Sequence, residues 1–353
     1  MLGKYQGSSY CKIVSINVDN KLNNDKIDLT EVLQMKFYDI GQDKNIYADG
    51  IHDDTKAIQA CLDKMKDGGT VFFPDGTYLI SAALIFYSGQ WLKFSDNAVL
   101  LRSKDSNPVT RYMLASYSEG DWCGYDGTHD AVITGGIFDG NAELDENLTI
   151  INTVHSKNIV IRSCRFLHCA NWHCIEINST DTARIADCVF EGATYTSIRE
   201  DLTSELLQID AANHGAYGPV YNCDGKHIEH AVDDTPCRNI SVDSCIFKCD
   251  GFPGIGHHGD AGHENIKIVR NVFTGASGKF GKSRGYITFT PKVHGVYVGD
   301  NAFISPAEKG IKNIGVIANN PDKNSMIAEN NTFIGNFSEY FKGGITVGDN
   351  NEY

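Results

Sequence analysis

The chain has 353 residues, 41% of them hydrophobic, with a net charge of −14, 35 glycines, 8 prolines and 11 cysteines. That apolar content suffices for one long core, while the acidity argues against nucleic acid or an anionic membrane surface as partner, because both need a basic patch. It also makes a polyanionic substrate awkward without a bridging cation.

The opening MLGKYQGSSYCKIVS holds no apolar signal-peptide core, and no later run is long enough to cross a bilayer. The expectation is a protein without membrane insertion, extracellular or virion-associated, that gets there without a cleavable N-terminal signal. Residues 1–45 carry no repeat and read as an adaptor or leader segment; residues 46–353 are expected to form one elongated domain. In the stretch YADGIHDDTKAIQACLDKMKDGGTVFFPDGTYLI, Asp53 or Asp54 can cap a helix whose Ile58, Leu62 and Met65 share one face, with Gly68 and Gly69 ending it. Such a helix would plug the open end of a solenoid, which otherwise exposes core and strand edges.

From there on one phrase keeps returning: an apolar alternating strand, then Cys, Asn or Gly, then any residue, then Phe. It reads AVITGGIF around Gly136, NIVIRSCRF around Cys164, TARIADCVF around Cys188, NISVDSCIF around Cys245, NIKIVRNVF around Asn271, GVYVGDNAF around Asn301 and SMIAENNTF around Asn331; WLKFSDNAV is a weaker copy with Asn97 in the slot. The slots step by 28, 24, 57, 26, 30 and 30 residues from Gly136, a period at which each repeat is one unit that buries its apolar face only by stacking on its neighbours. Alternation within the phrases is strand periodicity, and like residues at like positions predict stacked ladders of Asn and Phe. The expected fold class is therefore all-β, a right-handed parallel β-helix with an N-terminal capping α-helix.

Cys164, Cys188 and Cys245 occupy the inward slot and read as reduced apolar fillers; Cys223 and Cys237 are the pair to test for a bridge. Each coil needs a further strand, for which LTIINT (148–153), CIEINS (174–179), LLQID (206–210), GIGHH (254–258), YITFTP (286–291), IGVIAN (314–319) and GITV (344–347) are the candidates. Alternation turns Asn152, Glu176, Asn178, Gln208, Asp210, Gly256, His258, Thr288 and Thr290 outward, a solvent-facing strip suited to a glycan groove. The 57-residue step marks one coil with two insertions around the strand 206–210, and long loops flanking one strand of a regular solenoid are usually functional walls.

Glu176 and Asp210, one rung and one pleat repeat apart, should lie roughly 8 Å from each other. This falls within the span of about 6.5 to 9.5 Å that admits a water between acid and base in inverting glycoside hydrolysis. Glu205 is a third carboxylate for that pair, although strict alternation points it inward. His258 is the better functional histidine; His257 is inward by alternation. Gln208, Asn178, His173 and His257 are candidate substrate-binding groups, and Trp172 and Tyr217 could stack on sugar faces, Trp172 being equally suited to a corner of the core. His257, His258, Asp260 and His263 match no strong metal signature. No cofactor is called for, with calcium at Asp233 and Asp234 as the candidate exception.

The segments DGIHDDTKAIQ, PDGTYLI and GGIFDGN resemble the start of pectin-lyase-like β-helix proteins, a superfamily of polygalacturonases, pectate lyases, epimerases and phage tailspike depolymerases. The resemblance covers roughly residues 38 to 350 and specifies fold better than chemistry. It implies a polysaccharide substrate, with Asp210 standing where a polygalacturonase-like protein carries its first catalytic aspartate. The paired-aspartate motif and the Arg-Ile-Lys segment of polygalacturonases do not appear; HCIEI, ELLQID and GIGHH are more similar to the tailspike and Gram-positive surface branch, in which a homotrimer is common. The expected function is a polysaccharide depolymerase, an inverting glycoside hydrolase; the alternatives are a polysaccharide lyase and a non-catalytic glycan- or receptor-binding spike.

Overall fold

The computed structural model describes residues 36–353 apart from 106–110, 117–121, 142, 145–146, 170, 192–204, 214–219, 229–230, 252, 258–260, 278–284, 290–291, 307–312 and 320–324. Among the described residues, three sheets of 11, 10 and 9 strands run along the molecule, the coils giving strands to each sheet in turn. Successive coils pair in parallel, as in Ile159 beside Ala183 and Ala183 beside Ile240. This is the right-handed parallel β-helix expected from the repeat.

The returning phrase is the strand of the first sheet, a corner, and the strand of the second sheet. At the corner Ser163, Asp187, Ser244, Arg270, Asp300 and Asn330 all take the left-handed conformation, with φ of 55–57°, and so turn the next residue inward. That residue is the slot. Asn271, Asn301 and Asn331 each bond the next rung, Asn301 Nδ2 donating to Asn331 Oδ1 at 3.0 Å and to Ile268 O at 3.0 Å. A thiol cannot form that ladder, so Cys164, Cys188 and Cys245 turn Sγ toward the carbonyl two residues back at 3.2–3.3 Å. Two residues on, the phenyl rings pile with centroids 4.4–5.4 Å apart from Phe138 to Phe333.

The helix Thr55–Lys64 closes the N-terminal end with Ile58, Leu62 and Met65 in the core. Asp53 rather than Asp54 serves its first turn, accepting the Thr55 N–H at 3.0 Å. Asp54 instead accepts the backbone N–H groups of Tyr47 and Ala48, tying the preceding segment to the helix start. The first sheet begins with Phe37–Asp39.

Three expectations are corrected. Asn97 lies on the surface and donates to Asp75, Ala98 being the residue in register with Gly136, because Val99 pairs with Ile137. The segment 344–347 belongs to the first sheet through Thr346–Val347, and the last strand of the third sheet is Glu339–Gly343. Cys223 and Cys237 are both free thiols, Cys237 being engaged with the carbonyls of Ile177 and Asp210.

The corner leading into the third sheet decides what its outer face carries. Met113 and Leu114, Ile150 and Ile151, Cys174 and Ile175, Leu206 and Leu207, and Tyr286 and Ile287 are adjacent pairs that both enter the core. Alternation therefore restarts after the first member of each pair, and the residue before the pair is turned outward.

Candidate active site

Three columns of side chains line the outer face of the third sheet. Thr149, His173 and Glu205 stand at its corner; Asn152, Glu176 and Gln208 form the middle column, in register across their strands; Asn178 stands beside Asp210 in the third. The sequence placed most of these on a solvent-facing strip. They face away from the core, but none is more than 7% exposed, so the strip is a covered polar floor rather than an open groove. The same sheet face is capped on the N-terminal side of this floor by the two-stranded ribbon Val220–Tyr221 and His227–Ile228 from the second insertion. Val220 and Ile228 pack on Ala83, Ile85, Tyr112 and Ala115, with Tyr87 and Trp172 against them.

Polar groups on this floor keep unfilled hydrogen-bonding capacity. Thr149 Oγ1, both amide atoms of Asn152, Glu176 Oε2, Asn178 Oδ1 and Gln208 Oε1 are buried without a partner in full hydrogen-bond geometry among the described residues, although Thr149 and Asn152 stand close enough to Glu176 to favour its charged form. Buried polar groups in folded proteins are almost always satisfied, and a cluster of amide, hydroxyl and carboxyl groups left open on one floor is the pattern of a site that receives a polyhydroxylated ligand.

Glu176 Oε1 accepts from Asn178 Nδ2 at 3.0 Å. Burial pushes its carboxyl up to about 8, the Asn178 hydrogen bond opposing this and the charge of Asp210 adding to it, so Glu176 carries a proton at neutral pH. Both oxygens of Asp210 accept hydrogen bonds, Oδ1 from the Ala211 N–H at 2.8 Å and Oδ2 from Gln208 Nε2 at 3.3 Å. Glu176 lies opposite Gln208 and Asp210 opposite Asn178, so the two carboxyl groups are diagonal neighbours, about 8 Å apart by strand spacing and pleat.

His263 joins this pair, which sequence reasoning had weighed only for zinc. The Cys237 N–H donates to His263 Nδ1 at 2.9 Å, which places the proton on Nε2, and Nε2 lies 4.0 Å from Asp210 Oδ1. Burial holds the imidazole down to about 4, so it is neutral beside the carboxylate. His263 sits just before a first-sheet strand, a coil beyond Asp210, and no local pattern announces that meeting.

Glu205 is corrected from inward to outward: Leu206 and Leu207 both enter the core, and its carboxyl lies over Gly256, where an added Cβ would come within 3.0 Å of Oε1. His173 Nδ1 lies 2.6 Å from the Glu205 carbonyl oxygen, fixing the corner column rather than reaching into the middle one. His257 is buried and lies against Phe289 and His263, with centroids 5.3 and 4.8 Å away. Trp172 packs against Tyr112 and carries the Arg111 guanidinium over its ring, so it belongs to the cover. His258 and Tyr217 lie outside the described residues. Asp233 accepts the backbone N–H groups of Gly124 and Thr235, which gives it a loop-closing role. Among the described residues no three His, Cys, Asp or Glu side chains come together as a metal site.

Comparison with known proteins agrees with the coil. The family described as rhamnogalacturonase A/epimerase, pectate lyase-like, matches residues 37–197. The plasmin and fibronectin-binding protein A of Streptococcus pneumoniae is 25% identical over 288 residues, which cover 72% of this chain and 39% of that protein, so the chain spans well under half the length of this curated relative. Among solved structures, that of PfbA, a surface adhesin of Streptococcus pneumoniae, superposes with a TM-score of 0.62 at 18% identity, covering 86% of this chain and 80% of that one. A hyperthermoactive exopolygalacturonase from Thermotoga maritima gives 0.56 at 11% identity, covering 87% and 76%. Repeat, coil and these likenesses agree on the fold: residues 37–197 match the pectate lyase-like family, and the chain as described is a right-handed parallel β-helix like those of the matched structures.

Proposed function

We propose that the chain cleaves a glycan as an inverting glycoside hydrolase, with Glu176 as general acid and Asp210 as general base. The observation that carries this reading is the pair of environments: a buried carboxyl held protonated to about pH 8 stands diagonally across one strand from a carboxylate held by a backbone N–H and an amide. A carboxyl that keeps its proton, set beside a second carboxyl that accepts hydrogen bonds from a backbone N–H and an amide, is an arrangement suited to acid and base roles. Glu176 gives its proton to the glycosidic oxygen as the C–O bond breaks. Asp210 takes a proton from the water whose oxygen bonds to the anomeric carbon from the opposite face. The neutral His263, with Nε2–H toward Asp210, supports the charged form of the base, and the open amide and hydroxyl groups of Asn152, Thr149 and Gln208 are donors and acceptors for sugar hydroxyls.

The test is incubation of the protein and its Asp210→Asn variant with bacterial envelope polysaccharides, teichoic acids and polygalacturonate, following reducing ends and absorbance near 235 nm. The expected result is reducing ends without absorbance, lost in the variant by about a thousandfold or more. An absorbance rise would mean elimination and a polysaccharide lyase.

A second reading is favoured by the likeness to a surface adhesin. On that reading the same floor binds a surface glycan or host glycoprotein without cleaving it, and the chain works at a cell surface. Binding by both proteins with cleavage by neither is its signature.

A further inference from the structure

The floor has two unlike ends. Along its middle column the residues in register are Ile85, Ala115, Asn152, Glu176, Gln208, Gly256 and Thr288. At the N-terminal side Ile85 and Ala115 lie beneath Val220 and Ile228, and Tyr112 with Trp172 fills the flank. Lys56 meets Asp224 at 3.7 Å where the ribbon turns beside the capping helix. At the other side the Glu205 carboxyl lies over Gly256, and Thr288 is the first member of the column to reach solvent. The polar stretch is thus sealed by packed apolar side chains one strand past Asn152, and in the opposite direction it continues past the polar Glu205 to solvent at Thr288.

We infer that the site is blind at its N-terminal end and takes a glycan by its chain terminus, which abuts the Ala115–Val220–Ile228 wall, while the rest of the chain leaves past Glu205 and Thr288. Two strand spacings, about 10 Å, separate the Glu176 strand from the Ala115 strand. That distance holds one sugar ring with its substituents and does not let a polymer continue. The inference rests on the glycan-binding role of this floor and adds its substrate class: chain ends, not internal stretches. If Glu176 and Asp210 cleave, the product is the terminal unit, released one at a time.

Two measurements on the intact chain decide it. The first is the size of sugars released from the panel polysaccharides at early times; terminal units alone are expected, and a ladder of oligosaccharides with a rapid fall in viscosity would overturn the blind end while leaving hydrolysis standing. The second needs no turnover: the Asp210→Asn variant is applied to an array of bacterial glycans with defined termini. The expected binders share a terminal sugar whatever the chain length behind it, and capping that sugar abolishes binding. Binding that grows with the length of an internal run overturns the inference, as does failure to bind any glycan together with failure to cleave. Terminal-sugar binding without cleavage by the unaltered protein would retain the blind site and discard the hydrolase. Replacing Val220 and Ile228 with alanine should admit longer chains past the wall, adding disaccharides or larger fragments to the products; unchanged products from a folded variant would show that the ribbon is not the barrier.

Discussion

The carboxyl of Glu205 occupies the space above Gly256: a Cβ added there would stand 2.8 Å from Glu205 Cγ, and 2.7 Å from the Thr288 carbonyl oxygen. A glycine beneath a carboxylate is thus a packing requirement of the floor, independent of backbone freedom. Gly256→Ala should cost about 1–3 kcal/mol of stability, read from denaturant midpoints, and should lower glycan affinity by moving Glu205. The double variant with Glu205→Ala should recover part of the stability. No recovery would assign the crowding to the Thr288 backbone alone.

Glu176 makes stability depend on pH. Its folded-state value, about 8, lies above the ordinary 4.5, so the folded protein holds a proton that the unfolded chain releases. The stabilisation tied to that proton is full below about pH 4.5 and is lost as pH rises through about 8. Between pH 5 and pH 8.5 the protein should lose stability, on the order of a few kcal/mol, relative to Glu176→Gln, which keeps the shape and cannot ionise. Equal pH slopes in the two proteins would mean the carboxyl is not buried in its acid form. If Glu176 is the general acid proposed above, the cleavage rate should fall above about pH 8.

The inward slot should tell Asn from Cys. Removing the Asn301 side chain takes away the acceptor of the buried Asn271 N–H and a donor to the Ile268 carbonyl, and Asn301→Ala should cost about 3 kcal/mol or more. Cys188→Ala removes only a thiol, a weak donor, from the Ile161 and Ala186 carbonyls at 3.8 and 3.2 Å, for about 1 kcal/mol. Chemical denaturation of the two variants makes the comparison; similar losses would mean that the amide ladder contributes only volume.

Thiol reactivity should follow depth. Cys123 is exposed and Cys223 half-buried, whereas Cys164, Cys188 and Cys245 are enclosed, and the hydrogen bond with the Cys188 thiol, followed by burial, raises Cys245 well above the ordinary range. Alkylation under native conditions, mapped by mass spectrometry, should label Cys123 first, then Cys223, and reach the slot cysteines only on unfolding.

The solenoid was legible because its repeat is local: slot, following Phe and alternating strand fall within one phrase, and stacking converts that phrase into ladders. The capping helix was legible for the same reason, in the spacing of Ile58, Leu62 and Met65. Strand register followed from the rungs too, which is why Asn178 could be set beside Asp210 before any coordinates. What escaped were contacts between coils and departures from alternation. Glu205 was misdirected because two successive leucines enter the core at a corner, an event with no residue signature. His263 reaches Asp210 from another sheet one coil on, and the burial of Glu176 is a property of the assembled coil that its own strand does not announce.

The coil that carries both insertions is as tightly stacked as its neighbours: Phe190 and Phe247, joined through the 57-residue step, lie 4.4 Å apart and within 5° of parallel. Whatever is spliced into that rung is invisible to the spine. Wall and scaffold are therefore separable parts, and the ribbon over Ala115 could be exchanged for one of another length with the pitch undisturbed. Recognition on this chain can be rewritten by grafting a cassette, without redesigning the spring beneath it.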